Sequence, residues 1–190
     1  MSRKEQIEQT ATALFKTRGF SATSMRDLAN ALGIEAASIY SHIRSKEEIL
    51  QRVCFRMADE FFAAIEATKD ENTSATEQLR QAISAHVKVL TRNTEASAVF
   101  LQEWRHLSEP FLSEFLTLRD RYEYYFREII RQGIASGEFQ VPDAKFAVLT
   151  ILSGLNWIHT WYKPDGKMNP AEIAENLSAM LLNGLKTNLN

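Results

Sequence analysis

The sequence predicts an all-α protein of nine helices, with three helices in an N-terminal head (residues 1–46) and six in a body (residues 47–190). Apolar residues recur at spacings of three and four, which is the period of an amphipathic helix. Glycine and proline fall mainly between these runs, where they begin or end helices. No segment gives a convincing strand pattern, so an all-α fold is expected.

The head begins with a helix predicted over residues 3–18, which has one apolar face and ends at Gly19. A second helix follows Ser24, whose side chain forms a capping pair with Asp27 three residues later. Gly33 supplies the left-handed backbone that a tight turn between two helices needs. The order of helix, glycine turn and helix is that of a helix-turn-helix.

The third helix of the head is predicted over residues 36–42. Ile39 faces inward, and small polar residues stay outside, as a helix in a DNA major groove requires. Ser45 and Glu48 form another capping box that begins the next helix. The head therefore presents one short helix to a partner.

The six helices of the body are separated by polar or proline-containing turns. They are expected from Lys46 to about Thr68, Ala75 to about Arg92, about Ala96 to Leu107, Pro110 to about Ser136, after Asp143 to before Pro164, and from Pro170 onward. The first of them joins the head to the body without a break, and we expect it to transmit any conformational change between them.

The charge of the chain is uneven. Residues 1–46 carry seven Lys or Arg against four acids, which gives +3; against a total of −2 the remaining residues sum to −5. A basic head on an acidic body would keep the phosphate-attracting surface at the helix-turn-helix. Ordinary scatter of charge is the alternative.

Composition argues against several other classes of protein. The start of the chain has no apolar core for a signal peptide and no later run is long enough to span a membrane, so a cytoplasmic location without a membrane partner is expected. Cys54 is expected to be a half-buried structural thiol. No catalytic motif, phosphate loop, cofactor site or metal-ligand spacing is present, which argues against an enzyme. The histidines are scattered over separate helices: His42, His86, His106 and His159.

Residues 13–50 carry a set of residues in one register: Leu14–Phe15, Gly19–Phe20, Thr23, Ile39–Tyr40 and Ser45–Lys46–Glu47. With these residues the chain resembles the TetR (tetracycline-repressor) family of transcriptional regulators. The resemblance implies three head helices, six body helices and a homodimer that represses transcription until a small molecule releases it. Activation instead of repression stays open. This chain departs from many relatives at Glu35 and Ala36, where they carry a capping Ser or Thr followed by Lys or Arg.

Seven residues of the head are predicted to contact double-stranded operator DNA: Arg26, Ala37, Ser38, Tyr40, Ser41, His42 and Lys46. The resemblance assigns Tyr40, His42 and Lys46 to the phosphate backbone, and the small residues would face base edges. Arg26 could meet a base or a phosphate, or could be an ordinary surface arginine. Tyr40 could instead be a packing tyrosine.

The body is rich in aromatic residues with polar groups interspersed, a composition that suits an apolar pocket for a small hydrophobic effector. Residues 153–175 resemble the branch of the family that senses acyl-CoA thioesters; a drug, a free fatty acid or a protein partner is the alternative. Taken alone, each aromatic residue fits a bundle core better than a ligand wall; it is the polar groups on the same helices that together favour the pocket. The predicted effector residues are Phe100, Trp104, Arg105, Arg121, Tyr122, Phe126, Asn156 and Trp157.

A homodimer is expected on independent grounds, because one helix-turn-helix binds only a half-site and two copies on a two-fold axis bind a palindrome. The last helix carries an apolar stripe with a small residue that allows close approach. The stripe could instead be the core of a monomer. The predicted interface residues are Leu177, Met180, Leu181, Gly184 and Leu185.

Overall fold

The structure, a computed structural model, describes residues 2–70 and 72–185. Met1 and residues 186–190, the outer ends of the two predicted domains, lie outside the described residues, as does Glu71. Within the described ranges the chain forms nine α-helices, one 3₁₀ turn and no strand, which confirms the predicted fold class. The helices are α1 Arg3–Arg18, α2 Met25–Leu32, α3 Ala36–Tyr40, α4 Lys46–Glu66, α5 Ala75–Arg92, α6 Thr94–Gln102, α7 Phe111–Ala135, α8 Ala144–Trp161 and α9 Pro170–Leu185.

Three helices differ from their predicted bounds by two residues or more, and one of them is α4, which ends at Glu66 and not at about Thr68. Helix α3 ends at Tyr40 and not at residue 42. After Tyr40 the amides of both His42 and Ile43 donate to the carbonyl of Ile39 and close the last turn. Helix α6 begins at Thr94, because the side chain of Asn93 accepts from the amide of Ala96 and caps it. The end of the predicted helix 96–107 is a separate 3₁₀ turn, Trp104–His106.

The chain divides into two compact units. The first unit is Met1–Ala58 with Asn93–Thr117, and the second is Asp59–Arg92 with Leu118–Asn190. The helix-turn-helix therefore shares its unit with α6 and the 3₁₀ turn, which the sequence interpretation had assigned to the body. The boundary at residue 46 stays a prediction; that residue is the first of α4, which continues unbroken to Glu66.

The first unit is organised around α1, which packs against α2 and α6. The predicted cap of α2 is present, since Ser24 and Asp27 form a complete capping box; Ser2 and Glu5 form another at the start of α1. Gly33 ends α2 with φ of 65°, as the turn requires. Side chains at most 2% exposed form the core, among them Ile7, Phe15, Leu28, Ile39, Ile43, Ile49 and Leu50.

The second unit is organised around α5, which packs against α8 and α9. Gly133 of α7 allows the ring of Phe139 to pack on the helix backbone, since an added Cβ would lie 2.1 Å from the Cδ2 atom of that ring. Fully buried side chains of α5, α7 and α8 form the core, among them Leu79, Ile83, Phe126, Ile130, Val148, Leu155 and Ile158.

Candidate functional site

Helix α3 presents the predicted DNA-contacting surface. Buried Ile39 anchors the helix, whereas Ala37 and Ser38 are exposed and the side chain of Tyr40 is 55% exposed. Arg26, Ser41 and His42 are exposed as well. Among the described residues no side chain caps the start of α3, because Glu35 makes no capping hydrogen bond. The helix therefore depends on its neighbours for its position.

The hydroxyl of Ser41 donates to the carbonyl of Ser38 at 2.7 Å. Its proton is committed to the backbone, so toward a base edge Ser41 offers acceptor lone pairs only. Tyr40 carries its hydroxyl on an exposed ring, and a phenol can donate the hydrogen bond that a phosphate contact needs. All of these DNA contacts stay predictions.

Lys46 lies differently from a free phosphate-binding cation. Its Nζ donates to the carbonyls of Phe20 and Thr23, both at 2.9 Å, and lies 4.3 Å from the centroid of the Phe20 ring. These contacts occupy two of its three N–H groups. Lys46 thus ties the loop before α2 to the start of α4, and one N–H at most remains for the predicted phosphate contact.

The start of α4 is held by a second set of bonds. The carboxylate of Glu48 accepts from the amide of Arg44 at 2.9 Å, and the amide of Glu48 donates to Ser45 Oγ at 3.3 Å. The bond from Arg44 lowers the pKa of Glu48, with smaller contributions from Arg52 and Lys4, against an opposing effect of burial. The predicted cap therefore exists, except that the Glu48 carboxylate accepts from the amide of Arg44, the residue before Ser45, where a capping box would use the amide of Ser45 itself.

The 3₁₀ turn Trp104–His106 packs on the helix-turn-helix. The ring of His106 stacks on the ring of Phe20, with centroids 5.3 Å apart and planes inclined by 24°. His106 Nε2 lies 3.5 Å from Ser21 Oγ and 3.5 Å from a carboxylate oxygen of Glu103. Because Lys46 Nζ also lies over the ring of Phe20, the 3₁₀ turn and the start of α4 both contact this one ring.

Three predicted effector residues cluster in this first unit. Phe100 and Trp104 both pack on Phe115, with centroids 5.3 and 5.9 Å away, and the guanidinium of Arg105 lies 4.5 Å from the Trp104 ring. Phe55 of α4 meets the same phenylalanine at 6.3 Å. The cluster therefore lies within the unit that carries the helix-turn-helix.

Four other predicted effector residues lie in the second unit. Tyr122 and Phe126 pack together with centroids 5.5 Å apart, and the guanidinium of Arg121 lies 5.3 Å from the ring of Phe62. Asn156 is half-buried on α8. The structure thus places the predicted set in two groups, one in each compact unit.

His86 is the functional candidate that sequence reasoning missed. It is 3% exposed, and its Nδ1 lies 3.0 Å from the phenolic oxygen of Tyr122. Burial lowers the pKa of His86 to about 3, an effect that the Asn156 side chain partly opposes, and burial raises the pKa of Tyr122. The available signal was a histidine on the apolar face of α5, three residues after Ile83.

Trp157 is not enclosed within its own unit as an effector wall would be. Its side chain is 65% exposed, and it shares a face of α8 with three other exposed apolar residues, since these positions fall within one helical stripe. They are Phe146, Leu149 and Trp161. An apolar face of this kind fits a protein interface better than an effector pocket.

The predicted interface residues of α9 divide by exposure. Met180 is 74% exposed and Gly184 is exposed, whereas Leu177 and Leu181 are half-buried. Leu185 faces the interior of its own unit, and its carbonyl accepts from the amide of Gln140 at 2.8 Å. Met180 and Gly184 are therefore the most accessible of the five.

The described part of the chain, residues 2–70 and 72–185, contains no group of three or more His, Cys, Asp or Glu that could hold a metal ion. None of its helices is long and apolar enough to cross a membrane.

Two family profiles match the chain. The one described as "Bacterial regulatory proteins, tetR family" matches residues 7–53, and the one described as "Tetracyclin repressor-like, C-terminal domain" matches residues 72–185. The chain belongs to the TetR family. It is a DNA-binding, helix-turn-helix transcriptional regulator and not an enzyme, which confirms the predicted class.

Individual relatives cover nearly the whole chain. The HTH-type transcriptional repressor KstR2 of Mycolicibacterium smegmatis is 27% identical over 187 residues, 97% of this chain and 91% of that protein. The crystal structure of PfmR from Thermus thermophilus is 36% identical with a TM-score of 0.83, over 96% of this chain and 100% of that one. A crystal structure of AibR in complex with isovaleryl coenzyme A and operator DNA is 25% identical with a TM-score of 0.82, over 95% and 98% of the two chains.

Proposed function

We propose that two copies of this TetR-family regulator bind a palindromic operator in the cytoplasm and repress transcription, and that an acyl-CoA thioester releases them. Within the operator the two half-sites would lie about 34 Å apart along the duplex, one turn of DNA. The exposed face of α3 would enter the major groove of each half-site.

The observation that carries this proposal is the stacking of His106 on Phe20 in the first unit. His106 belongs to the same 3₁₀ turn as Trp104 and Arg105, two predicted effector residues. An effector that displaces either of them would displace the ring that supports the loop before α2. Release then needs no contact between effector and DNA.

The acyl-CoA class is supported by two kinds of evidence. AibR, which matches over nearly the whole chain, was solved with isovaleryl coenzyme A and operator DNA. In this chain aromatic rings and arginines occur together at Trp104–Arg105 and at Phe62–Arg121, and a guanidinium suits the phosphates of coenzyme A. A drug or a free fatty acid is the rival effector.

The homodimer is supported by the exposed apolar residues of α8 and α9. Phe146, Trp157 and Met180 are each more than 60% exposed in the single chain, and a second copy would bury them. Replacing Met180 with Asp should therefore weaken the dimer, which sedimentation velocity at several concentrations would show. An unchanged dimer in both Met180→Asp and Trp157→Asp would place the interface elsewhere.

The energy required for release is modest. A ligand that weakens operator binding a hundredfold needs about 2.7 kcal/mol of coupling, at ~1.4 kcal/mol for each tenfold. By linkage, operator DNA must weaken ligand binding by the same factor.

Fluorescence anisotropy tests the proposal. Labelled DNA from immediately upstream of the gene is titrated with protein at fixed salt and then challenged with acyl-CoA thioesters and with the corresponding free acids. Release by thioesters alone at micromolar concentration is expected. Tight operator binding that no thioester changes would remove the acyl-CoA assignment, and the absence of operator binding would remove the operator at this locus.

Two variants test whether His106 couples effector binding to operator release. His106→Ala should reduce the release by thioesters, because it removes the ring that stacks on Phe20. The exposed Gln132, on α7 in the second unit, provides the matched control Gln132→Ala, which should release normally. Equal release by both variants would exclude His106 from the coupling.

A further inference from the structure

The interior of the second unit contains a buried nitrogen atom, Nε2 of His86, that lacks a hydrogen bond. The ring of His86 lies among three aromatic rings, with centroids 4.8 Å from Phe61, 5.8 Å from Tyr122 and 6.5 Å from Phe126. Its Nδ1 is bonded to Tyr122. The side chain of Asn156 acts on the ring and partly offsets the effect of burial on its pKa, but no group of residues 2–70 or 72–185 has hydrogen-bond geometry toward Nε2. A buried polar atom without a partner costs about 1–3 kcal/mol, so its presence needs an explanation.

The tautomer of His86 follows from counting donors and acceptors. Tyr122 stays protonated and has one O–H to donate, and the neutral imidazole has one N–H. If the phenol donates to Nδ1, one donor, Nε2–H, is left over. If Nδ1 donates to the phenol instead, both the phenolic proton and the Nε2 lone pair are left over, so we assign the proton to Nε2.

We propose that Nε2–H of His86 binds the uncharged carbonyl oxygen of the effector, which in an acyl-CoA is the thioester oxygen. This inference rests on the proposed function and specifies the chemistry of that effector. The side chain of Asn156, which raises the pKa of His86, would contact the effector at the same place. The surrounding rings would pack on the acyl chain.

The surroundings of His86 select a neutral acceptor over a charged one. With a pKa of about 3 the imidazole carries no charge at neutral pH, and the rings of Phe61 and Phe126 offer no compensation for a carboxylate. Desolvating a carboxylate there would cost far more than one neutral hydrogen bond returns. The site should therefore accept a thioester and reject the free fatty acid, which is the rival effector.

A pair of ligands that differ in one oxygen tests the inference. Dodecanoyl-CoA and the thioether S-dodecyl-CoA have the same chain and nucleotide, but only the thioester has the carbonyl. Isothermal titration of the full chain should give about tenfold tighter binding of the thioester, the scale of one buried hydrogen bond. The same pair built on isovaleryl-CoA and its S-alkyl analogue covers a short-chain effector.

Variants assign that preference to His86. His86→Phe should reduce it to below about threefold, because the donor is gone while the ring remains. Tyr122→Phe should reduce it in part, since the proton of His86 is then free to move to Nδ1, and it covers the case in which His86→Phe does not fold. Thr91→Val is the matched control: it removes a buried hydroxyl of α5, which donates to Val87, and should keep the full preference.

Each outcome decides something different. Loss of the preference in the His86 and Tyr122 variants, with Thr91→Val unaffected, supports the inference. Equal binding of thioester and thioether by the natural chain overturns the inference, because the effector carbonyl then forms no hydrogen bond with Nε2. That result leaves the acyl-CoA class standing. Binding of neither ligand by protein that binds its operator overturns the effector class and this inference together.

Discussion

The two compact units differ in how their buried polar atoms are bonded. In the first unit the hydroxyls of buried Thr12 and Thr23 donate to backbone carbonyls, as Lys46 does nearer the surface. In the second unit polar atoms are buried among apolar side chains. There His86 Nε2, Arg127 Nε and Ser178 Oγ have no hydrogen-bond partner among the described residues.

The proposed function accounts for this difference. A short helix that enters a DNA groove has to keep its outer face free, so its position depends on caps and bonds made behind it. A unit that takes up a small hydrophobic molecule needs a few polar groups inside an apolar interior, at the expense of stability in the empty state. The comparison therefore predicts which substitutions affect folding and which affect binding.

The largest effect is expected in the interior of the second unit. Phe126→Ala removes a fully buried ring and should lower the free energy of unfolding by about 3–5 kcal/mol. Urea unfolding followed by circular dichroism measures this loss. Tyr124→Ala, on the same helix but 51% exposed, is the control and should change stability by less than about 0.5 kcal/mol. Similar losses in both would mean that the packing around Phe126 is not as described.

A second prediction separates holding the head together from contacting DNA. Lys46→Met removes the two bonds to the carbonyls of Phe20 and Thr23 and should lower the free energy of unfolding by about 1–2 kcal/mol. Arg26→Ala changes an exposed residue, so stability should stay the same while operator affinity falls. The slope of log affinity against log salt concentration should decrease in magnitude by about one. If Lys46→Met left stability unchanged and altered only operator binding, the main role of Lys46 would be to contact phosphate and not to hold the loop before α2.

How far the sequence alone could predict these regions depends on the range of the interactions. The Ser24–Asp27 cap and the Gly33 turn involve residues within a few positions, and they formed as expected. The partners of Lys46 lie 23 and 26 residues away in the chain, and His86 meets Tyr122 across 36. No periodicity within one helix contains that information.

The same reasoning applies to the body. An apolar stripe shows that a face of a helix will be covered, but not by what. Trp157 was assigned to the effector and Leu185 to the dimer from such stripes; in the single chain Trp157 is exposed and Leu185 packs inside its own unit. The break of α6 before the 3₁₀ turn was missed because Trp104–His106 fits a helical pattern equally well.

A third prediction concerns a local polar contact in the second unit. Burial favours the neutral form of Glu138, but bonds from the amides of Thr76 and Ala75 and from Ser136 outweigh it and lower the pKa to about 2. Because these bonds cap α5, Glu138→Gln should lower the free energy of unfolding by about 1 kcal/mol at neutral pH. Ser74, whose hydroxyl caps the amide of Glu77, remains in place.

The pH dependence of that substitution gives its control. Since the pKa of Glu138 is lower in the folded than in the unfolded chain, its contribution is fully present above about pH 4.5 and is lost as the pH falls toward 2. The difference in unfolding free energy between the natural chain and Glu138→Gln should shrink over that range. A constant difference from pH 7 to 3 would show that the charge of Glu138 is not what stabilises α5.

The smallest effect is expected at Cys54 in the first unit. Its side chain is fully buried, more than the half-buried thiol that the sequence suggested, and burial together with the charge of Glu103 raises its pKa to about 12. The thiol should not react with a thiol-specific reagent at pH 8 in the folded protein and should react fully in denaturant. Rapid reaction under native conditions would mean that the first unit opens locally.

The most direct test of an effector-released regulator is a linkage measurement. The affinity of dodecanoyl-CoA is measured for the free protein and for protein saturated with operator, and the affinity of the operator with and without the thioester. We expect both pairs to differ by the same factor, at least about tenfold, because the coupling free energy is shared. A thioester that binds free and operator-bound protein equally well would contradict the account, however tightly it binds.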